Sequence, residues 1–180
     1  FSVNPEYVYN PNKTQYFTTV NYDNSYKYIL ASLDSHILSA SIRVNYTVNP
    51  KLSIQYYGQP FIFRAKYNEF KYVTNPTADN LNNRFNLYNE DQINIENNYY
   101  SIDHNLDGTS DYGFYNPNFS TVQFKSNLVV RWEYRRGSEL YFVWSQGLNT
   151  FIDTSESLVD GISLGLKDKP ENTFLIKATF

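Results

Sequence analysis

From Thr121 to Tyr134 the chain alternates between two kinds of residue. Val122, Phe124, Ser126, Leu128, Val130, Trp132 and Tyr134 share one parity, and Thr121, Gln123, Lys125, Asn127, Val129, Arg131 and Glu133 share the other. The last residues repeat the pattern, with Phe174, Ile176, Ala178 and Phe180 opposed to Thr173, Leu175, Lys177 and Thr179. A period of two is the signature of a β-strand. The same alternation predicts strands over 36–48, 51–64 and 138–151, and residues 14–20 add a further candidate. With 119–135 and 171–180 these make about six strands, and no helical stripe competes with them.

The two faces differ in a telling way. One carries aliphatic residues with aromatics at the strand ends, and the other carries amides and charges. A membrane barrel presents its apolar face to lipid and its polar face to the lumen. An antiparallel sheet in water with one wet face shows the same alternation. Connection lengths favour the barrel. Short turns at 49–51 and 135–138 interleave with the long polar segments 21–35, 74–118 and 152–170, as periplasmic turns interleave with extracellular loops. The expected fold is therefore all-β: an antiparallel transmembrane β-barrel segment spanning residues 1–180, with long extracellular loops. Barrels of this kind need about eight strands at least. An open edge in lipid leaves backbone groups unpaired, at several kcal/mol each. The chain is thus expected to be the C-terminal part of a larger outer-membrane barrel, completed by strands preceding residue 1 or by another chain.

Composition agrees. Aromatics make up 18% of the chain, with 18 Tyr and 13 Phe, residues that suit strands and membrane interfaces. Mean hydropathy is −0.55, as expected where half of each strand faces water. No stretch approaches the roughly 18 apolar residues of a membrane helix. The net charge of −3 argues against a nucleic-acid partner. Without cysteine there is no disulfide framework and no thiol chemistry; without methionine there is no initiator, hence no signal peptide in these residues.

Three blocks resemble the C-terminal barrel region of the DUF5916 family, the carbohydrate-binding family 9-like domain-containing outer-membrane proteins of Bacteroidota. They are SLDSHILSASIRVNYTVNPKLSIQYYGQPF (32–61), FKSNLVVRWEYRRGSELYFVWSQG (124–147) and NTFLIKATF (172–180), in the family's order. The resemblance implies a signal peptide and a sandwich domain ahead of a large barrel, placed in the outer membrane of a bacterial cell. It implies no particular activity. The terminal Phe180 also resembles the aromatic that ends the last strand of bacterial outer-membrane proteins, where the barrel-assembly machinery binds.

Chemistry concentrates in loop 74–118. Asp103, Asn105, Asp107, Thr109 and Asp111, with Gly108 at the sixth position, read D-x-N-x-D-G-x-x-D, the front of a calcium loop. Alternate side-chain oxygens converge round such a turn, Thr109 offers its carbonyl, and glycine permits the bend. The resembling family carries a comparable acidic, glycine-containing loop before its second block. The bidentate glutamate of an EF-hand would fall at Phe114, so Glu90, Asp91, Glu96 or a backbone oxygen would complete the shell. The expected cofactor is calcium in a structural role. The same residues also suit an Asx-rich turn without metal.

Catalysis finds little support. His36 reads as a polar rim residue, and His104 falls at a non-ligand position, pointing to solvent. No nucleophile elbow, zinc motif or phosphate loop is present. Three classes of function remain: a barrel that is structural or anchoring or passes a small solute, a surface glycan-binding module using Asn97, Asn98, Tyr99, Tyr100, Tyr112 and Tyr115, and an outer-membrane hydrolase. Expected partners are outer-membrane lipid, the missing strands and a surface glycan.

Overall fold

Residues whose side chains alternate in character also alternate in space when the backbone is extended, and six long strands do this here. A computed structural model describes residues 1–180. The long strands are β1 (Ser2–Tyr22), β2 (Ser25–Asn49), β3 (Leu52–Val73), β8 (Phe119–Arg135), β9 (Ser138–Ile152) and β10 (Glu171–Thr179). Between β3 and β8 lie the short strands β4 (Phe85–Leu87), β5 (Ile93–Glu96), β6 (Tyr99–Ile102) and β7 (Tyr112–Tyr115). Helix α1 (Leu158–Gly165) precedes β10. The long strands form one sheet in the order β1-β2-β3-β8-β9-β10, with β4 paired to β3. Pairing is antiparallel, and the sheet ends on two open edges, β1 and β10. Strands β5, β6 and β7 make a second antiparallel sheet.

Several expectations are corrected. The first strand covers Ser2–Tyr22, well beyond 14–20, and the third continues past residue 64 to Val73. Segment 21–35 is not a loop. β1 and β2 join through Asp23-Asn24, both at positive φ (50° and 56°), as a two-residue hairpin turn requires. Polar strand residues hid that hairpin, so the connections expected to be long are not all long. Segment 74–118 is largely ordered, and 152–170 contains a helix that its short, mostly apolar sequence did not reveal.

The chain divides into two units. The first comprises 1–9, 36–64 and 119–180. Its register keeps one parity in phase across neighbouring strands: Val130 faces Phe142, Trp132 faces Leu140, and Ile176 also faces Phe142. Trp144 stacks on Phe174 at 5.9 Å. This apolar face is not covered along its length; Trp132, Phe174 and Ile176 are 49%, 61% and 71% exposed. The opposite parity is polar. Arg131 pairs with Glu139, Tyr141 donates to Glu139 at 2.6 Å, and Ser145 donates to Asn127 at 2.7 Å. The Arg43 guanidinium lies over the Tyr57 ring at 5.0 Å.

Helix α1 covers one end of the apolar parity. Ser157 caps it, accepting from the Asp160 amide at 3.0 Å, and Arg64 of β3 donates to the Ser157 carbonyl at 3.3 Å. Its two buried residues are Gly161 and Gly165. A Cβ on Gly165 would lie 2.6 Å from Val122, so only glycine allows this approach.

The second unit comprises 10–35 and 65–118. Its core joins Ile29 and Ala31 of β2, Phe70 of β3, Tyr88, Ile102 of β6 and Phe114 of β7. Phe17, Tyr67, Tyr100 and Tyr112 pack round it. Rings meet at tilted or edge-on angles, as with Phe17–Phe114 at 5.0 Å and Phe70–Phe114 at 4.9 Å, the geometry favoured by ring quadrupoles.

Candidate functional site

The 103–111 loop is built from its own side chains. Residues 103–111 link β6 to β7, whose register pairs Ile102 with Tyr112. Asp103 accepts from the amides of Asp107 (3.2 Å) and Gly108 (2.8 Å). Asn105 accepts from the Asp107 amide at 3.1 Å and donates to the Asp107 carboxylate at 3.0 Å. Asp107 in turn accepts from the Thr109 amide at 2.9 Å and from the Thr109 hydroxyl. Asp111 accepts from the His104 amide at 2.7 Å. Leu106 and Gly108 take positive φ values of 62° and 90° to close the turn. Bonds from Thr109 and Asn105 hold the Asp107 carboxyl below the usual carboxylate range.

All five residues named from the motif are therefore gathered in one turn. The oxygens of Asp103, Asn105, Asp107 and Asp111 cap amides, and no trio of His, Cys, Asp or Glu side chains converges closely enough to form a ready cation cage. The donors are hard oxygens, the set that suits calcium. To ligate one ion, Asp103, Asp107 and Asp111 would share their remaining lone pairs with it while keeping the amides.

His104 does not point to solvent. Its ring packs against Tyr72 at 4.6 Å and Tyr22 at 4.8 Å. Tyr88, Tyr112 and His104 Nδ1 form a hydrogen-bonded chain, with steps of 2.9 and 2.8 Å. Burial and the Lys27 charge push the imidazole down, partly offset by Asp111, so the ring is neutral at neutral pH. The direction of the chain follows the imidazole tautomer: Nδ1 accepts from Tyr112 when Nε2 carries the proton, and donates to it when Nδ1 does. Burial pushes the Tyr112 phenol up to about 12 and raises Tyr88 further. These residues anchor the turn to the core of the second unit. Gln92 adds a clamp, donating to the His104 carbonyl at 3.0 Å while its own carbonyl accepts from the Asp103 amide at 2.9 Å. None of Tyr22, Tyr72, Tyr88 or Gln92 lies in the motif, and only the chain's density of tyrosine hinted at them.

A second polar cluster bears on hydrolysis. Lys71 is only 5% exposed; its Nζ donates to the Lys13 carbonyl at 2.6 Å and to Ser32 Oγ at 3.3 Å. Ser32 donates to Glu69 at 2.6 Å. A serine beside a lysine is how some acyl transfers start. Here the hydroxyl proton is committed to Glu69 and both residues are buried, so the cluster satisfies a buried ammonium. His36 likewise has a structural setting: it stacks on Tyr9 at 4.8 Å and bonds the Tyr7 hydroxyl at 2.9 Å.

Of the tyrosines considered for sugar contact, Tyr100 and Tyr112 pack into the core, and Tyr115 is 73% exposed beside Tyr99. Comparisons with protein-family models, with curated proteins and with solved structures found no match for this chain.

Proposed function

We propose that this chain is the C-terminal part of a bacterial outer-membrane β-barrel, with a structural or anchoring role and a calcium-stabilised surface loop. One observation carries this reading: beyond the part that α1 covers, the apolar face of the first unit has nothing packed over it. A sheet in water buries its apolar face and wets its polar one. Here Trp132, Phe174 and Ile176 stand open, while Arg131 and Glu139 on the opposite parity pair with each other. Lipid is the solvent that reverses the usual preference. The open edges of β1 and β10 are then closed by further strands, from the same polypeptide or another chain. The three blocks resembling DUF5916 barrels support the same assignment.

With Phe180 taken as the periplasmic end of the last strand, chain direction assigns the sides. The turns at 49–51 and 135–138 lie in the periplasm, and the Asp23-Asn24 turn, loop 74–118 and α1 lie outside. The Arg131–Glu139 pair on the inner parity fits a wall or plugged lumen better than an open ion path. Calcium at Asp103, Asn105, Asp107, Thr109 and Asp111 pins the loop. A glycan-contacting surface is the second reading, favoured by exposed Tyr26 and Tyr115 in the second unit.

The chain has no cysteine, so single-cysteine labelling tests the sidedness. Asn97→Cys should react with a membrane-impermeant maleimide in intact cells, and Arg136→Cys only after the outer membrane is opened. Equal reactivity of both, or recovery of the protein outside the membrane fraction, overturns the assignment.

A further inference from the structure

Helix α1 is seated on the apolar parity of the first unit, the parity that carries Val130 and Phe142. Val122 shares it along β8, Ile152 along β9 and Ile62 along β3. Gly161 meets Ile62 and Ile152, and Gly165 meets Val122, so the smallest side of the helix lies against the sheet. A helix added to cover a core does the opposite: it places its large apolar residues inward. In α1 and the residue after it, Val159, Leu164 and Leu166 are 69%, 40% and 42% exposed. Directly beyond, Lys167 and Lys169 are exposed and flank Asp168. Apolar side chains outward, with basic residues at one end, is the distribution of a helix lying at a lipid surface, its lysines snorkelling to headgroups.

The geometry points to α1 as an interfacial helix that extends the lipid-facing wall into the outer leaflet, its partner being the acyl-chain and headgroup boundary of the membrane. This rests on the membrane placement proposed above and adds a part that strands do not supply. The glycines let the helix sit flat on the wall. Val159, Leu164 and Leu166 then enter the acyl region from the side. Arg64, buried under the N-terminal end and bonded to Ser157, fixes where the helix starts.

Spin labels at Val159→Cys and, separately, at Val130→Cys test this in outer-membrane vesicles. Both positions are on the apolar side, and Val159 is exposed, so its label does not disturb packing. The Val159 label should be relaxed by oxygen and lose relaxation by a water-soluble nickel chelate, as the Val130 label does. Nickel relaxation at Val159 with none at Val130 overturns the helix assignment and leaves the membrane reading standing. Nickel relaxation at both overturns the two together. A Val159 label shielded from oxygen and nickel alike means a protein partner covers the helix, which also overturns the lipid assignment. As a second measurement, Gly165→Leu, which drives a side chain into Val122, should move the Val159 label toward nickel. Unchanged relaxation in that variant overturns the seating of α1 on the wall.

Discussion

Replacing Val130 by arginine separates lipid from water as the neighbour of the apolar face. In the proposed placement, Tyr134 and Trp132 mark the periplasmic edge of the belt. A strand rises about 3.3 Å per residue, and at a tilt of about 40° each residue gains about 2.5 Å of depth. Val130, four residues from Tyr134, then lies about 10 Å into a belt about 25 Å tall, close to its midplane. Its surroundings offer no polar partner: it faces Phe142 and shares a shallow apolar depression with Leu52, Trp132 and Leu140. An arginine there should cost about 2–4 kcal/mol, which lowers the folded-to-unfolded ratio roughly 30- to 700-fold. Arg131→Val is the control. It breaks a pair whose side chains are 38% and 25% exposed, and Glu139 keeps its bond from Tyr141. Its cost should be about 1 kcal/mol or less. Reversible urea unfolding in vesicles, read by tryptophan fluorescence and by heat-modifiable gel mobility, measures both. If Arg131→Val proves the more damaging, the two faces have been assigned the wrong way round.

Three other perturbations probe separate parts of the molecule. Phe180→Asp places a charge at the end of β10 and should lower the amount assembled in the outer membrane; normal surface levels of that variant would argue against a terminal assembly signal. Asp107→Ala removes the acceptor for Thr109 and Asn105, so loop 103–111 should become protease-sensitive, and wild-type protein should gain protection from millimolar calcium and lose it to chelator. Protection indifferent to chelator would leave an Asx turn without metal. The second unit should unfold in alkali: Tyr112 titrates at about 12 in the fold against 10.0 ordinarily, so the stability from its neutral phenol is complete below pH 10 and lost as pH rises toward 12. Near-ultraviolet circular dichroism should follow that loss, and a signal unchanged through the window would contradict the buried Tyr88–Tyr112–His104 chain.

Strand content was legible because period-two alternation follows directly from extended backbone geometry. The runs 119–135 and 138–151 agree closely with β8 and β9, since nearly every residue there votes for one face. The hairpin at Asp23-Asn24 was harder to see. Residues 25–35 carry Ser, Lys and Asp among their apolar neighbours, and polar residues are acceptable on both faces of an extended ribbon in water. In β3, Glu69 at φ 46° interrupts the regular backbone, which helped hide its continuation to Val73.

The nine residues 103–111 announced a tight turn because Asp, Asn and Gly bond their own backbone over two to five residues, an effect wholly local to the chain. Packing was beyond that reach. His104 turned inward because Tyr22, Tyr72, Tyr88 and Tyr112, from four separate segments, surround it, and no local pattern records which tyrosines will meet. Helix α1 shows the same limit. Eight residues hold too few periods to distinguish helix from loop, and a long-range fit between Gly165 and Val122 secures it. Alternation separated the faces, since a strand's period needs no partner. Which face stands open, and what closes over the polar loop, depended on contacts between residues far apart in the chain.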